Sequence, residues 1–148
     1  MTSLFKKTYA ASSIIGEDRE IVWATLIDLR NYHLWNPFTP AISTDWSIGG
    51  KVKLTVQMKK GQAPLLQTEY LSKFSPPLEL GWGINWGIFL KAERIQKLTV
   101  EPNGRTKYHS EDIIYGILCP VVHWIYGKYI QKGFEEVAVS LKSHVEGK

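Results

Sequence analysis

Apolar positions follow two different periods along this chain. From residue 41 to residue 116 they fall into short runs, many alternating with polar residues, each closed by turn-forming residues. Gly49-Gly50 separates a run at 42–46 from one at 51–59. Gly61 and Pro64 precede 66–74, Ser75-Pro76-Pro77 precedes 78–84, and Gly87 precedes 88–101. Pro102-Asn103-Gly104 is a strong hairpin turn before Thr106–Tyr115. With the Thr-, Ser- and Ile-rich segment 4–15, these runs predict about seven strands. Hairpin-length connections make the sheet antiparallel.

The helical period appears twice. Gly16-Glu17-Asp18 breaks the first strand and offers an N-cap, and a helix is expected over 18–29 with Val22, Leu26 and Leu29 on one stripe. Residues 31–35 suit a short second helix, stopped by Asn36-Pro37. Near the C-terminus, Cys119, His123, Tyr126, Ile130, Phe134, Val137, Leu141 and Val145 recur at intervals of 4, 3, 4, 4, 3, 4 and 4. That spacing predicts one apolar stripe along a helix of about seven turns. A helix so long needs a long partner surface, and the sheet is the one available. The expected order is strand, two helices, six strands, long helix. The stripe's second half is wholly apolar. Its first half carries polar groups, as a small-molecule pocket does.

Composition narrows the function. A chain of 148 residues is read as one domain, 1–148. Eighteen basic and 14 acidic residues give +4, scattered rather than clustered, so nucleic acid is not an expected partner. The single cysteine excludes an internal disulfide. The first residues lack the apolar core of a secretory signal, and 116–127 is too short and too interrupted to span a bilayer, so a cytoplasmic protein is expected. The four histidines have no metal-ligand spacing and no phosphate-binding or dinucleotide fingerprint follows a strand, so neither metal nor cofactor is expected. Aromatic residues make up 12% of the chain, which fits either a bulky core or a ring-walled cavity.

Four segments resemble a known family. Val22-Trp23 with Leu26-Ile27-Asp28, Tyr32 with Trp35-Asn36-Pro37-Phe38, Gly49 followed by Leu80-Gly81-Trp82, and Gly133-Phe134-Glu135 with Leu141-Lys142 are similar to the START-like helix-grip superfamily. Within it they resemble the polyketide cyclase/dehydrase and lipid-transport group (SRPBCC). The resemblance covers nearly the whole chain and implies an α+β helix-grip fold, a curved antiparallel sheet around a long C-terminal helix. It also implies a hydrophobic ligand, and only some members are enzymes. Three positions depart from the usual pattern: Asp112 stands where glutamate is common, Ile114 where an aromatic residue is usual, and Ala138 where asparagine is frequent.

The candidate ligand-binding residues are Trp35, Leu80, Trp82, Gln96, Leu98, Asp112, Ile114, Cys119, His123, Tyr126 and Ile130. Leu80 and Trp82 alternate onto one strand face, and Gln96 and Leu98 onto another. Tyr108, Ser110, Asp112 and Ile114 share a face that the family register turns inward. Trp86 lies in a turn suited to an entrance. Three functions compete. One is binding or transfer of a hydrophobic small molecule or lipid. The second is cyclisation or dehydration with Asp112 and His123 as acid and base, for which a carboxylate would tune the imidazole. A Cys119–His123 pair at i, i+4 is more simply a buried cysteine near a helix start. The third uses the helix's other face, where Val121, Trp124, Ile125 and Tyr129 sit beside Lys128 and Lys132, for a membrane or a second copy of the chain.

Overall fold

The computed structural model describes residues 4–148. Seven strands form one antiparallel sheet: β1 (Lys6–Ile15), β2 (Ile42–Thr44), β3 (Lys51–Val56), β4 (Leu65–Ser75), β5 (Glu79–Asn85), β6 (Lys91–Val100) and β7 (Thr106–Tyr115). Strands β2 to β7 are a meander, and β1 pairs with β7, giving the order β1-β7-β6-β5-β4-β3-β2. The link from β1 to β2 must therefore cross the width of the sheet. It does so through α1 (Arg19–Ile27) and a 3-10 helix at Leu29–Leu34. The long helix α2 runs over Cys119–Val145. This is the α+β helix-grip architecture, and β7 and α2 start and stop where their residue patterns predict.

The boundaries that differ have local causes. The first helix ends at Ile27 and tightens to 3-10 geometry instead of running to residue 29. Ile88 and Phe89 lie outside β6, in a turn closed by Trp86 N–H donating to Leu90 C=O at 2.7 Å. Strand β2 stops at Thr44 because Trp46 adopts φ 64° and stacks on Phe74, with ring centroids 4.7 Å apart.

The Asn-Pro segment is a structural turn. Asn36 is buried, and its Oδ1 accepts from the N–H of Phe38 at 3.1 Å and of Thr39 at 2.8 Å. That turn drives Phe38 against α2, edge-on to Phe134 with the ring planes at 84°. The helix makes room with glycine: a Cβ on Gly133 would lie 2.2 Å from the Phe38 ring.

The helix does not lie evenly on the sheet. It is tied to β1, where Ser13 Oγ donates to Ala138 C=O at 2.9 Å and Gln131 Nε2 to Ala10 C=O at 2.8 Å. Its second half seals the core, with Val137 and Leu141 fully buried alongside Ile15, Val22, Leu26, Leu80 and Leu98. The tie to β1 and this dry packing leave the first half of α2 standing off from β3 to β6.

Candidate ligand cavity

The gap between the first half of α2 and the sheet is a cavity of about 490 Å³, within the range of small-molecule sites. Helix α2 contributes Val122, Tyr126, Ile130 and Phe134, and the Asn36 turn contributes Phe38 and Thr39. The sheet contributes apolar walls including Leu54, Val56, Trp82, Ile84, Ala92 and Ile114. Hollows of similar volume, such as one of about 450 Å³ beside Ile14 and Arg105, lie elsewhere on the surface, away from the helix–sheet gap.

Three charged side chains line this largely apolar cavity: Arg94, Asp112 and Glu69. Arg94 and Asp112 face each other across β6 and β7, and Tyr9 is opposite Asp112 on β1. Burial pushes the Asp112 carboxyl up to about 6, although the Arg94 guanidinium pulls the other way. Burial also pushes Glu69 up to about 7; the charge of Asp112 adds to the rise and Arg94 opposes it. Arg94 lies over the Phe134 ring at 4.3 Å, and its Nε donates to Ser110 Oγ at 3.3 Å. Its Nη2 and the hydroxyl of Thr39 are buried, and among the described residues neither has a hydrogen-bond partner. Such an unsatisfied group costs roughly 1–3 kcal/mol.

Of the residues expected from sequence, the structure brings Trp82, Asp112, Ile114, Tyr126 and Ile130 together around this cavity. The others sit elsewhere. Leu80 and Leu98 are buried core residues that do not line the cavity. Gln96 is buried and engaged, its Oε1 accepting from Tyr108 Oη at 2.6 Å. Trp35 packs near the far end of α2, between Tyr32 and His144. Cys119 is buried with its Sγ 3.4 Å from the Ile114 carbonyl, and burial raises its thiol pKa, the opposite of an activated thiolate.

His123 is the main correction. It is exposed on the β1 side of α2, where it stacks on Tyr9, and its Nδ1 lies 2.6 Å from Tyr9 Oη. Val122 takes the inward place instead. The tie of α2 to β1 leaves position 123 outside the cavity lining, and among the described residues no hydrogen bond or ion pair joins Asp112 to His123, which meets Tyr9 instead.

The sequence pattern does not single out Arg94, Glu69 and Thr39, which also line the cavity. Arg94 is two residues before Gln96, on the same alternating face, and Glu69 is two before buried Leu71. Alternation alone marks both as inward, but a charge at an inward position reads as a frame error until the cavity is seen.

The cavity opens at an apolar lip. Trp86 lines it while 59% exposed, and Leu66 while 83% exposed. The turn before β6 and the turn before α2 are joined by backbone bonds from Ile117 to Ile88 at 3.0 Å and from Leu118 to Phe89 at 2.9 Å. Gly116, at φ 128°, allows this approach, because a Cβ there would lie 2.5 Å from the Phe89 oxygen. On the first turns of α2, Trp124 is 85% exposed, with Val121 and Ile125 also exposed and Tyr129 partly so.

Comparison of the sequence with family models and with curated proteins returns no match. Comparison of the structure returns many. A START superfamily protein from Mycobacterium smegmatis superposes with a TM-score of 0.73 at 16% identity, covering 95% of this chain and 97% of the other. Ara h 8.0201 superposes with a TM-score of 0.65 at 15% identity, covering 97% and 99%. The di-domain ARO/CYC protein BexL, of the BE-7585A biosynthetic pathway, gives 0.71 at 9% identity, with 99% of this chain matching 50% of that one. The chain has the START-like helix-grip fold. Among the described residues no helix is long and apolar enough to cross a membrane, and no group of three or more His, Cys, Asp or Glu side chains forms a metal site.

Proposed function

We propose that this protein binds an apolar small molecule or lipid in the cavity between α2 and the sheet, as a binding or transfer module. The observation that supports this most directly is an apolar-walled space of about 490 Å³ between α2 and the sheet, lined by Trp82, Ile84, Ile114, Tyr126, Ile130 and Phe134. Each 100 Å² of apolar ligand surface buried there contributes about 2.5 kcal/mol before the entropy of association. The neighbours named START and ARO/CYC are consistent with a ligand-holding role. A cyclase reading loses its acid–base pair with the outward position of His123, and binding without chemistry is the simpler reading. Native mass spectrometry against a solvent extract tests it. A stoichiometric apolar adduct is expected; a protein that carries no adduct and accepts none when offered apolar compounds contradicts the proposal.

A second reading concerns the lip, which we infer meets an anionic lipid surface. Lys59, Lys60, Lys128 and Lys132, against the single acid Glu136, line a neighbouring groove that shares Phe38 and Met58 with the cavity. Exposed Trp and Ile side chains beside such a basic groove match the composition of an interfacial membrane contact. Sedimentation with vesicles containing 30% anionic lipid checks it. Trp124→Ala with Ile88→Ser is expected to lower the bound fraction about tenfold. Equal pelleting of both proteins, or salt-insensitive self-association of the wild type in place of vesicle binding, refutes it.

A further inference from the structure

On the outer face of the sheet a serine, a histidine and a carboxylate stand in one hydrogen-bonded line. Alternation turns Tyr9 and Ile15 of β1 inward, with Tyr108, Ser110 and Asp112 of β7, so Ser12, His109 and Glu111 face the other side. Ser12 and His109 are partners in the β1–β7 register, and their side-chain atoms meet. Ser12 Oγ lies 2.5 Å from His109 Nδ1, and His109 Nε2 lies 2.9 Å from Glu111 Oε1. These partners fix the tautomer. A carboxylate only accepts, so Nε2 carries the hydrogen and donates it to Glu111. In the neutral ring Nδ1 then holds the lone pair, and the Ser12 hydroxyl donates to it. A serine hydroxyl bonded to a base that a third group orients is the arrangement of an activated nucleophile. The two ring nitrogens are exchanged relative to Ser-His-Asp proteases, which leaves the proton path from serine to imidazole intact. Ser12 is exposed, and the side chains of His109 and Glu111 are 33% and 41% exposed, so the hydroxyl is open to a substrate. Ile14, about 7 Å further along β1 on the same face, borders the hollow of about 450 Å³ that Pro102 and Arg105 also line.

We propose that Ser12, His109 and Glu111 form an esterase site for short-chain acyl esters with good leaving groups, such as aryl esters. Ser12 Oγ attacks the ester carbonyl carbon while His109 Nδ1 takes its proton. The bond from that carbon to the leaving oxygen breaks, and His109 gives the proton to the departing oxygen, leaving Ser12 acylated. Water then attacks the acyl carbon with His109 taking its proton. The bond to Ser12 breaks, the acid leaves, and the proton returns to Ser12 Oγ. Ser12 and His109 are the catalytic residues, and Glu111 is a positioning residue. An open sheet face leaves the developing oxyanion in water, where stabilisation is weak, so the leaving group must be good. Ile14 and the hollow beside it favour an acyl chain of a few carbons. The site is on the other side of the sheet from the cavity and stands independently of any ligand bound there.

The test incubates the full chain with a fluorophosphonate at about pH 8 and maps the modified peptides by mass spectrometry. Ser12 should be labelled roughly tenfold faster, or more, than Ser43, another exposed strand serine. His109→Gln should remove that advantage while keeping the wild-type circular dichroism. Glu111→Gln should slow the labelling of Ser12, and Glu111→Asp, which keeps the carboxylate, should restore part of the rate. Hydrolysis of 4-nitrophenyl butyrate should fall to background in Ser12→Ala. Labelling of Ser12 no faster than Ser43, or equally fast in His109→Gln, would overturn the proposal and leave the three residues as a surface hydrogen-bond chain. Butyrate hydrolysis unchanged by Ser12→Ala would overturn it as well.

Discussion

Asp112 and Glu69 make the stability of the fold depend on pH. Their carboxyls titrate at about 6 and about 7 in the folded chain, above the ordinary values of 3.8 and 4.5. Between the ordinary and the raised values the folded state holds more protons than the unfolded state. Stability therefore falls as pH rises through roughly 4 to 7. Glu146 acts in the opposite sense at the acid end. Hydrogen bonds from Lys142 and from the Gly16 N–H hold its carboxyl down at about 2, and that contribution disappears as pH drops from the ordinary carboxylate range towards 2. Denaturant titrations from pH 4 to 8 should show the decline. Asp112→Asn should flatten its share and stabilise the protein at pH 8 by on the order of 1–3 kcal/mol. A variant no more stable than wild type at pH 8, with an unchanged pH slope, would contradict this account. These residues were only partly legible in sequence. Asp112 is readable from strand alternation, whereas Arg94 and Glu69 are inward charges whose reason is the cavity itself, a feature of how α2 is seated.

At the scale of elements, the seating of α2 explains most of what differs from the residue pattern. The stripe from Cys119 to Val145 locates the helix and its buried second half correctly, since apolar spacing reports burial. It does not report rotation to within one residue, and Val122 rather than His123 points inward because hydrogen bonds to β1 turn the helix. Trp35 belongs with the crossing segment for a similar reason: it follows the 3-10 helix and stops under the end of α2, remote from the cavity. The Asn36 turn and Gly133 then set the gap, by pressing Phe38 onto the helix. Gly133→Ala gains helix propensity but forces Phe38 aside, and a net loss of about 1–3 kcal/mol is expected by thermal or denaturant unfolding. An unchanged or higher stability would show that Phe38 yields freely and does not hold the gap.

At the scale of the molecule, the fold was almost wholly readable, and the use of the fold was not. Turn residues at regular intervals fix a meander, and a helix of 27 residues has one surface long enough to receive it. Function depends instead on a space, and a space is a difference between two surfaces, which no run of residues spells out. The central claim is that this space holds an apolar molecule. Ala92 lines it on β6, between Ile84 and Ile114 on the neighbouring strands, so Ala92→Phe fills it while leaving the polar groups in place. Native mass spectra of wild type and Ala92→Phe, purified side by side and then offered the same apolar extract, test the claim most directly. A stoichiometric adduct is expected on the wild type, and its loss from a variant that keeps the wild-type circular dichroism. An adduct retained equally by both proteins would place the ligand elsewhere and contradict it.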